Sequence, residues 1–252
     1  MKRMAPRWFL VGSALACTLI AGPGWAQIPE QFTNLQVLPK GIPRSELVLT
    51  MRGFASALGI RCVHCHAGKD TPNLEGVDFA SDDKEEKRAA RLMMKMVQAI
   101  NQDHLSQLPH ATDTRVECAT CHRGLARPRS IQDEVKEAME KGGAEGAVAR
   151  YRELRTSHYG DGGYDFRQGP LNALGESLVR AGKGREAAAL LAVNAELHPE
   201  AAWTHYLLGE AYRVLGEMDK ARASYERSAT LEPENPMARQ RLREMTAASP
   251  KP

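Results

Sequence analysis

Two copies of one five-residue pattern constrain this chain more than anything else in it. Cys62-Val63-His64-Cys65-His66 and Cys118-Ala119-Thr120-Cys121-His122 both read C-x-x-C-H. Thiols three positions apart reach the two vinyl groups on one edge of a porphyrin as thioethers, and the next imidazole turns under the ring to ligate iron. Four-cysteine zinc sites also use C-x-x-C pairs, but nothing in such a site calls for a histidine after each pair. A thioredoxin-like pair wants a single copy in a strand–helix setting. A disulfide across two intervening residues closes a tiny loop and stabilises little. The pattern therefore predicts two covalently attached haem c groups, bound through Cys62 and Cys65 and through Cys118 and Cys121, with His66 and His122 as proximal iron ligands.

The first 26 residues agree with that chemistry. Lys2, Arg3 and Arg7 form a basic start, Trp8–Ala21 an apolar run, and Gly24-Trp25-Ala26 supplies small residues for a signal peptidase. Export with cleavage after Ala26, to the periplasm or an equivalent compartment, is the expectation. A lipid anchor at Cys17 competes, but Ala14-Leu15-Ala16 is a poor lipobox. Without Cys17, every remaining cysteine lies in the two motifs. Removing the leader also takes three of the 34 basic residues, leaving 31 against 31 acidic ones, so no nucleic-acid partner is expected. No apolar run reaches the roughly 18–20 residues of a membrane-spanning helix.

Helical periodicity points to the distal ligands. Ser45–Leu58 reads as a helix with Leu47, Met51, Phe54 and Leu58 on one stripe and Gly59 as its stop. A second helix is expected over 82–107, with Asp82 and Glu85 as a capping box and Met93, Met96, Ile100 and His104 on one face. Methionine on such a stripe is commonly core, but a haem must be covered on its distal side and thioether is a standard axial partner. Met51 is the candidate for the first haem. For the second, periodicity leaves Met93 and Met96 equal. His64 faces away from the iron in any ordinary attachment, His104 reads either as a cap on the haem edge or as plain helix surface, and His158, His198 and His205 read as structural or solvated.

Asn34-Leu35-Gln36-Val37-Leu38-Pro39, the stretch from Met51 to Cys62, and the stretch from Met96 through Cys118-Ala119-Thr120-Cys121-His122-Arg123-Gly124 resemble the cytochrome c subunit of photosynthetic reaction centres. That family repeats a unit of helix, Met ligand, turn and C-x-x-C-H. The resemblance, over about residues 30–128, implies Met51 and Met96 as distal ligands. It also puts His110 where the family carries a histidine that serves a haem in the other half of a four-haem protein; with two motifs here, that role has no evident target, and His110 stands as an alternative second-haem ligand. What is implied is a haem-pair module, not photosynthesis.

Beyond residue 131 the chain matches itself at a shift of 34. Leu174-Gly175 falls on Leu208-Gly209, Gly182 on Gly216, Ala187 on Ala221, Leu191 on Tyr225 and Pro199 on Pro233. Small residues where helices touch, and Pro after the second helix, resemble the tetratricopeptide repeat. Repeats are expected at 168–200 and 201–234, a degenerate unit at 131–158 and a closing helix at 235–248. The expected protein is all-α: a leader at 1–26, a dihaem cytochrome module at 27–128, where the porphyrins act as core, and a helical solenoid.

The functional expectation is an exported carrier of single electrons between redox partner proteins, membrane-bound ones included, with the repeats docking a protein or peptide. The alternatives are a dihaem peroxidase-like oxidoreductase, which needs an open iron site, and a haem-bearing adaptor whose repeats carry the function.

Overall fold

The computed structural model describes residues 28, 29, 31–109 and 114–247. The export segment with Cys17 and the Ala26 cleavage point, and His110, lie outside the described residues. Among the described residues every regular element is helical, apart from a single antiparallel bridge between Ala67 and Asp78, so the all-α expectation holds. By contacts the chain divides into two units, one of the residues up to Arg44 with Cys62–Lys95, the other of Ser45–Arg61 with everything from Met96 on.

Helix α1, Arg44–Leu58, forms where its apolar stripe predicts it. It stops at Gly59, whose φ of +63° lets the Gly59 N–H reach Ser56 O at 3.2 Å and the Ile60 N–H reach Ala55 O at 3.0 Å. The second expected helix is shorter than its pattern: α2 runs Glu85–Ala99, followed by a π turn at Ile100–His104 and a 3₁₀ turn at Leu105–Gln107. Asn101 explains the change. Its amide donates to Val97 O (2.9 Å) and Val116 O (2.8 Å) and accepts from Val116 N (2.9 Å), so a side chain competes with the helix ladder and ties down the approach to the second motif. The Asp82–Glu85 capping box is also corrected. The Asp82 carboxylate is held instead by Arg91 (2.7 Å), Asn34 (2.9 Å), Gln36 (3.2 Å) and Lys87 (3.3 Å).

After the short helix α3, Cys118–His122, the chain enters α4, Ile131–His158, through Ser130, whose Oγ accepts the Asp133 N–H. Gly142 and Gly143 leave helical geometry, and the halves of α4 fold back on each other: Arg150 pairs with Glu134, sixteen residues earlier, at 2.5 Å. Residues 131–158 thus form a helical hairpin. Two more pairs follow, α5 (Gln168–Arg180) with α6 (Gly184–Leu197) and α7 (Ala202–Leu215) with α8 (Met218–Leu231), then α9 (Pro236–Ala247).

The internal repeat has a packing reason. A Cβ on Gly175 would lie 2.6 Å from the Leu191 side chain, and one on Gly209, 34 residues later, 2.5 Å from the Tyr225 ring. Each pair closes at the same point because its first helix has no side chain there. One continuous core, from Ile131 to Ala238, fills these pairs. Buried polar groups bridge it: Asn172 Oδ1 accepts from Asn194 (2.8 Å) and Thr204 (2.9 Å), and Glu210 accepts from Tyr225 Oη and Arg241 Nε, both at 2.7 Å.

Candidate functional site

The first motif opens with a 3₁₀ turn, Cys62–His64, in which Cys65 N and His66 N both reach back to Cys62 O, at 3.2 and 3.0 Å. The turn brings Cys65 back to Cys62, near enough for the two thiols to act on each other. Cys65 is half-buried, and burial, with the nearby Glu86 carboxylate, pushes its thiol above the usual value. The His66 ring packs edge-on to Phe79 at 5.1 Å. Burial, then the Lys87 ammonium, hold His66 below the ordinary imidazole value, which favours the neutral form that can ligate a metal. Its Nδ1 is buried with no hydrogen-bond partner among the described residues.

Phe79 is held by a lysine that sequence reasoning missed. Lys87, 9% exposed, donates to Phe79 O (2.9 Å), Ala80 O (3.1 Å) and Ser81 O (2.7 Å). Asp78 adds to the same loop, its carboxylate accepting from Ala80 N and Ser81 N at 2.8 and 2.9 Å. Asn34 ties the loop to the chain's start through Ala80 O at 2.6 Å. A lone lysine on a helix pattern reads as solvated, so periodicity carried no signal for this clamp.

The second motif is helical. At the start of α3 the Glu117 N–H donates to Thr120 Oγ1 at 3.0 Å, fixing the entry turn and presenting Cys118 and Cys121 one turn apart. Cys118 is half-buried, its thiol also raised by burial, whereas Cys121 is exposed. His122 is buried at 9% exposure, and its Nδ1 meets Leu125 O at 2.8 Å. A carbonyl can only accept, so Nδ1 carries a proton and Nε2 is the ring nitrogen left to ligate a metal, the orientation a metal-bound histidine needs. Arg123, at φ +49°, turns the chain after His122, and Gly124 N then donates to Ala57 O of α1 at 2.9 Å.

The donor sets fit haem c: paired thiols, a neutral imidazole and a fixed tautomer at the second site. The thin core fits as well. From residue 28 to 129 the buried side chains among the described residues are Ile42, Leu47, Lys87, His122 and Leu125, against a continuous core beyond. Of the expected distal ligands, Met51 is half-buried on α1, while Met93 and Met96 are 39% and 44% exposed on α2. Those exposures do not separate Met93 from Met96. His198 and His205 hydrogen-bond to Phe166 O and Pro199 O, and His158 to Asp161, as structural histidines do.

Residues 62–160 match the family model described as photosynthetic reaction centre cytochrome C subunit, and residues 202–235 match the tetratricopeptide repeat. Cytochrome c-554 of Chloroflexus aurantiacus is 36% identical over 103 residues, which is 40% of this chain and 23% of that protein. The photosynthetic reaction center cytochrome c subunit of Thermochromatium tepidum is 32% identical over 102 residues, 40% of this chain and 22% of that one. The chain thus spans less than a quarter of the length of these relatives. It joins a segment similar to the photosynthetic reaction centre cytochrome c subunits to a solenoid that carries a tetratricopeptide repeat.

Proposed function

We propose that this chain is an exported dihaem c-type cytochrome that passes single electrons between redox partner proteins and uses its repeats to dock a protein or peptide. Cys62 and Cys65 hold one haem, Cys118 and Cys121 the other, with His66 and His122 as proximal ligands and Met51 and Met96 as distal ones. The haem supplies an iron that changes charge by one electron with little rearrangement. The protein supplies the rest. Burial favours a neutral His66, Lys87 and Asp78 fix the loop behind it, and Leu125 O orients His122. A methionine on the distal side closes the iron to peroxide or oxygen, which favours electron transfer over the peroxidase-like alternative. Within this reading, 27–128 form the haem module and 131–248 the repeats.

The observation that carries the reading is the His122 Nδ1 contact to Leu125 O directly after a C-x-x-C pair. Intact mass and a pyridine haemochrome assay of the exported protein test it: two haem masses per chain and an amino terminus at Gln27 are expected. One haem, bound zinc, or a chain still carrying Met1 overturns it.

A further inference from the structure

A carbonyl that orients a ligand histidine is placed by the packing of its own residue. For His122 that residue is Leu125. The turn between them is tight: the Leu125 N–H donates to His122 O at 2.8 Å, and the His122 ring returns to Leu125 O at 2.8 Å. The Leu125 side chain is buried against Gly163, in the loop between α4 and α5. A Cβ on Gly163 would lie 3.3 Å from Leu125 Cδ2 and 3.4 Å from Arg123 O, so this one position meets the turn twice. Gly163 is buried and is not among the glycines of positive φ, so the contact, and not the backbone conformation, is what calls for glycine there. The loop is firmly held. Asp161 Oδ1 accepts the Gly163 N–H at 2.8 Å, and Asp161 Oδ2 meets His158 Nδ1 at 2.7 Å. Tyr164 stands edge-on to His158 at 5.4 Å, and the buried Phe166 edge-on to Tyr151 at 5.9 Å. All of these residues belong to the same one of the two units.

We infer that Gly163 is a positioning residue for the second iron: the first loop of the solenoid seats Leu125 so that its carbonyl takes the His122 Nδ1 proton, and thereby sets the potential of the second haem. The inference rests on the dihaem reading above. A ligand histidine that donates from its far nitrogen to a carbonyl is a more basic ligand, and outer hydrogen bonds of this kind are one lever on a haem's potential. A stronger bond favours the ferric state and lowers the potential. Crowding Leu125, or removing its side chain, weakens the bond and raises the potential. His66 rests on different support, the ring of Phe79, and its Nδ1 has no hydrogen-bond partner among the described residues. The loop therefore tunes one haem and not the other, which makes the solenoid part of the redox centre's scaffold as well as a docking arm.

Redox titration of the full-length dihaem protein tests this, with the second haem assigned as the component missing from a chain carrying Cys118→Ser and Cys121→Ser. Gly163→Val should crowd the turn, and Leu125→Ala should empty the space beneath it. At the parent's midpoint each should lower the ratio of oxidised to reduced second haem about fivefold, a rise of ~40 mV at about 59 mV per tenfold, with the first haem unmoved. Gly163→Ala, the milder change, should lower the same ratio about twofold, and it covers the case in which the valine variant does not take up its second haem. Leu125→Met keeps the packing and should stay close to the parent. In the reduced protein, exchange of the His122 Nδ1 proton with solvent, followed by NMR, should quicken in step with the shift. Gly160→Ala is the control: φ is +90° and nothing stands near its Cβ position, so it strains the same loop without touching the turn. It should lower the melting temperature and leave both potentials alone. A second-haem ratio that neither Gly163 variant moves, equal shifts at both haems, or a Gly160→Ala shift as large as that of Gly163→Val overturns the proposal. A haemochrome count below two in the parent overturns the dihaem reading itself and is read separately from the potentials.

Discussion

Gly59 and Gly124 press against each other: a Cβ on Gly59 would lie 2.1 Å from the Gly124 carbonyl oxygen, while the Gly124 N–H donates to Ala57 O. The end of α1 and the turn after the second C-x-x-C-H motif thus fit together only because both positions lack a side chain. This contact joins the helix that carries Met51 to the loop that orients His122.

Replacing Gly59 by Ala should therefore cost more than about 2 kcal/mol, from a non-glycine residue at positive φ and a backbone clash that cannot relax through a rotamer. Thermal melts of the haem-loaded protein should show the loss, with lower haem occupancy at the second motif. Gly53→Ala is the control: it sits inside α1 with open space around its Cβ position and should stabilise by about 0.5–1 kcal/mol. Equal effects of the two changes would contradict the contact.

Asp82 gives the first-motif unit an acid limit. Its hydrogen bonds, with Arg91 first and Asn34 next, hold the carboxyl well below its ordinary value of 3.8. A depressed folded value means the stabilisation is complete above the unfolded value and lost as pH falls through the folded one. Loosening of the 34–36 and 78–82 segments should begin below about pH 4 and grow toward pH 2. Asp82→Asn should loosen them already at neutral pH and flatten that dependence. Amide exchange across Asn34–Gln36 and Asp78–Asp82 measures both. A variant with the parent's acid profile would remove Asp82 from the explanation.

The distal ligands are separable by spectroscopy. Met51→Ala should turn one haem high-spin and lower its potential while leaving the other nearly unchanged, and Met96→Ala should do the same for the second. If Met93→Ala produces the second effect, the ligand is one turn earlier on α2. If neither does and His110→Ala does, the second haem is bis-histidine.

The repeats should fold without haem. Residues 131–252 contain no cysteine, and their core runs unbroken from Ile131 to Ala238. Produced where haem is not attached, this fragment should be helical by circular dichroism and melt cooperatively. It lacks the Arg129 pairs to Glu134 and Glu137 and the packing of Leu125 near Gly163, where a Cβ would stand 3.3 Å from the Leu125 side chain. A fragment beginning at Gly124 should therefore melt a few degrees higher. An unfolded 131–252 fragment would show that the solenoid leans on the second motif.

Much of this protein is written in short spacings. C-x-x-C-H names its candidate ligands by itself, because two thioethers and a proximal imidazole would have to come from five adjacent residues. The shift of 34 announced the helix pairs, since Gly175 and Gly209 are each required by one neighbour in their own repeat. The fold-back of α4 rests on backbone freedom instead: Gly143 sits at φ +59°, and a Cβ on Gly142 or Gly143 would meet nothing within 4 Å. The tertiary structure decided what depends on residues far apart in the chain. Asp82 looked like a helix cap, yet its carboxylate goes to Asn34, 48 residues away, and to Arg91. Lys87 reads as a solvated lysine until the carbonyls of Phe79, Ala80 and Ser81 converge on it. Asn101 ended α2 early because Val116 offered its amide side chain a better set of partners than the helix did. Polar side chains choose among partners by proximity, and only the folded chain fixes which partners are near.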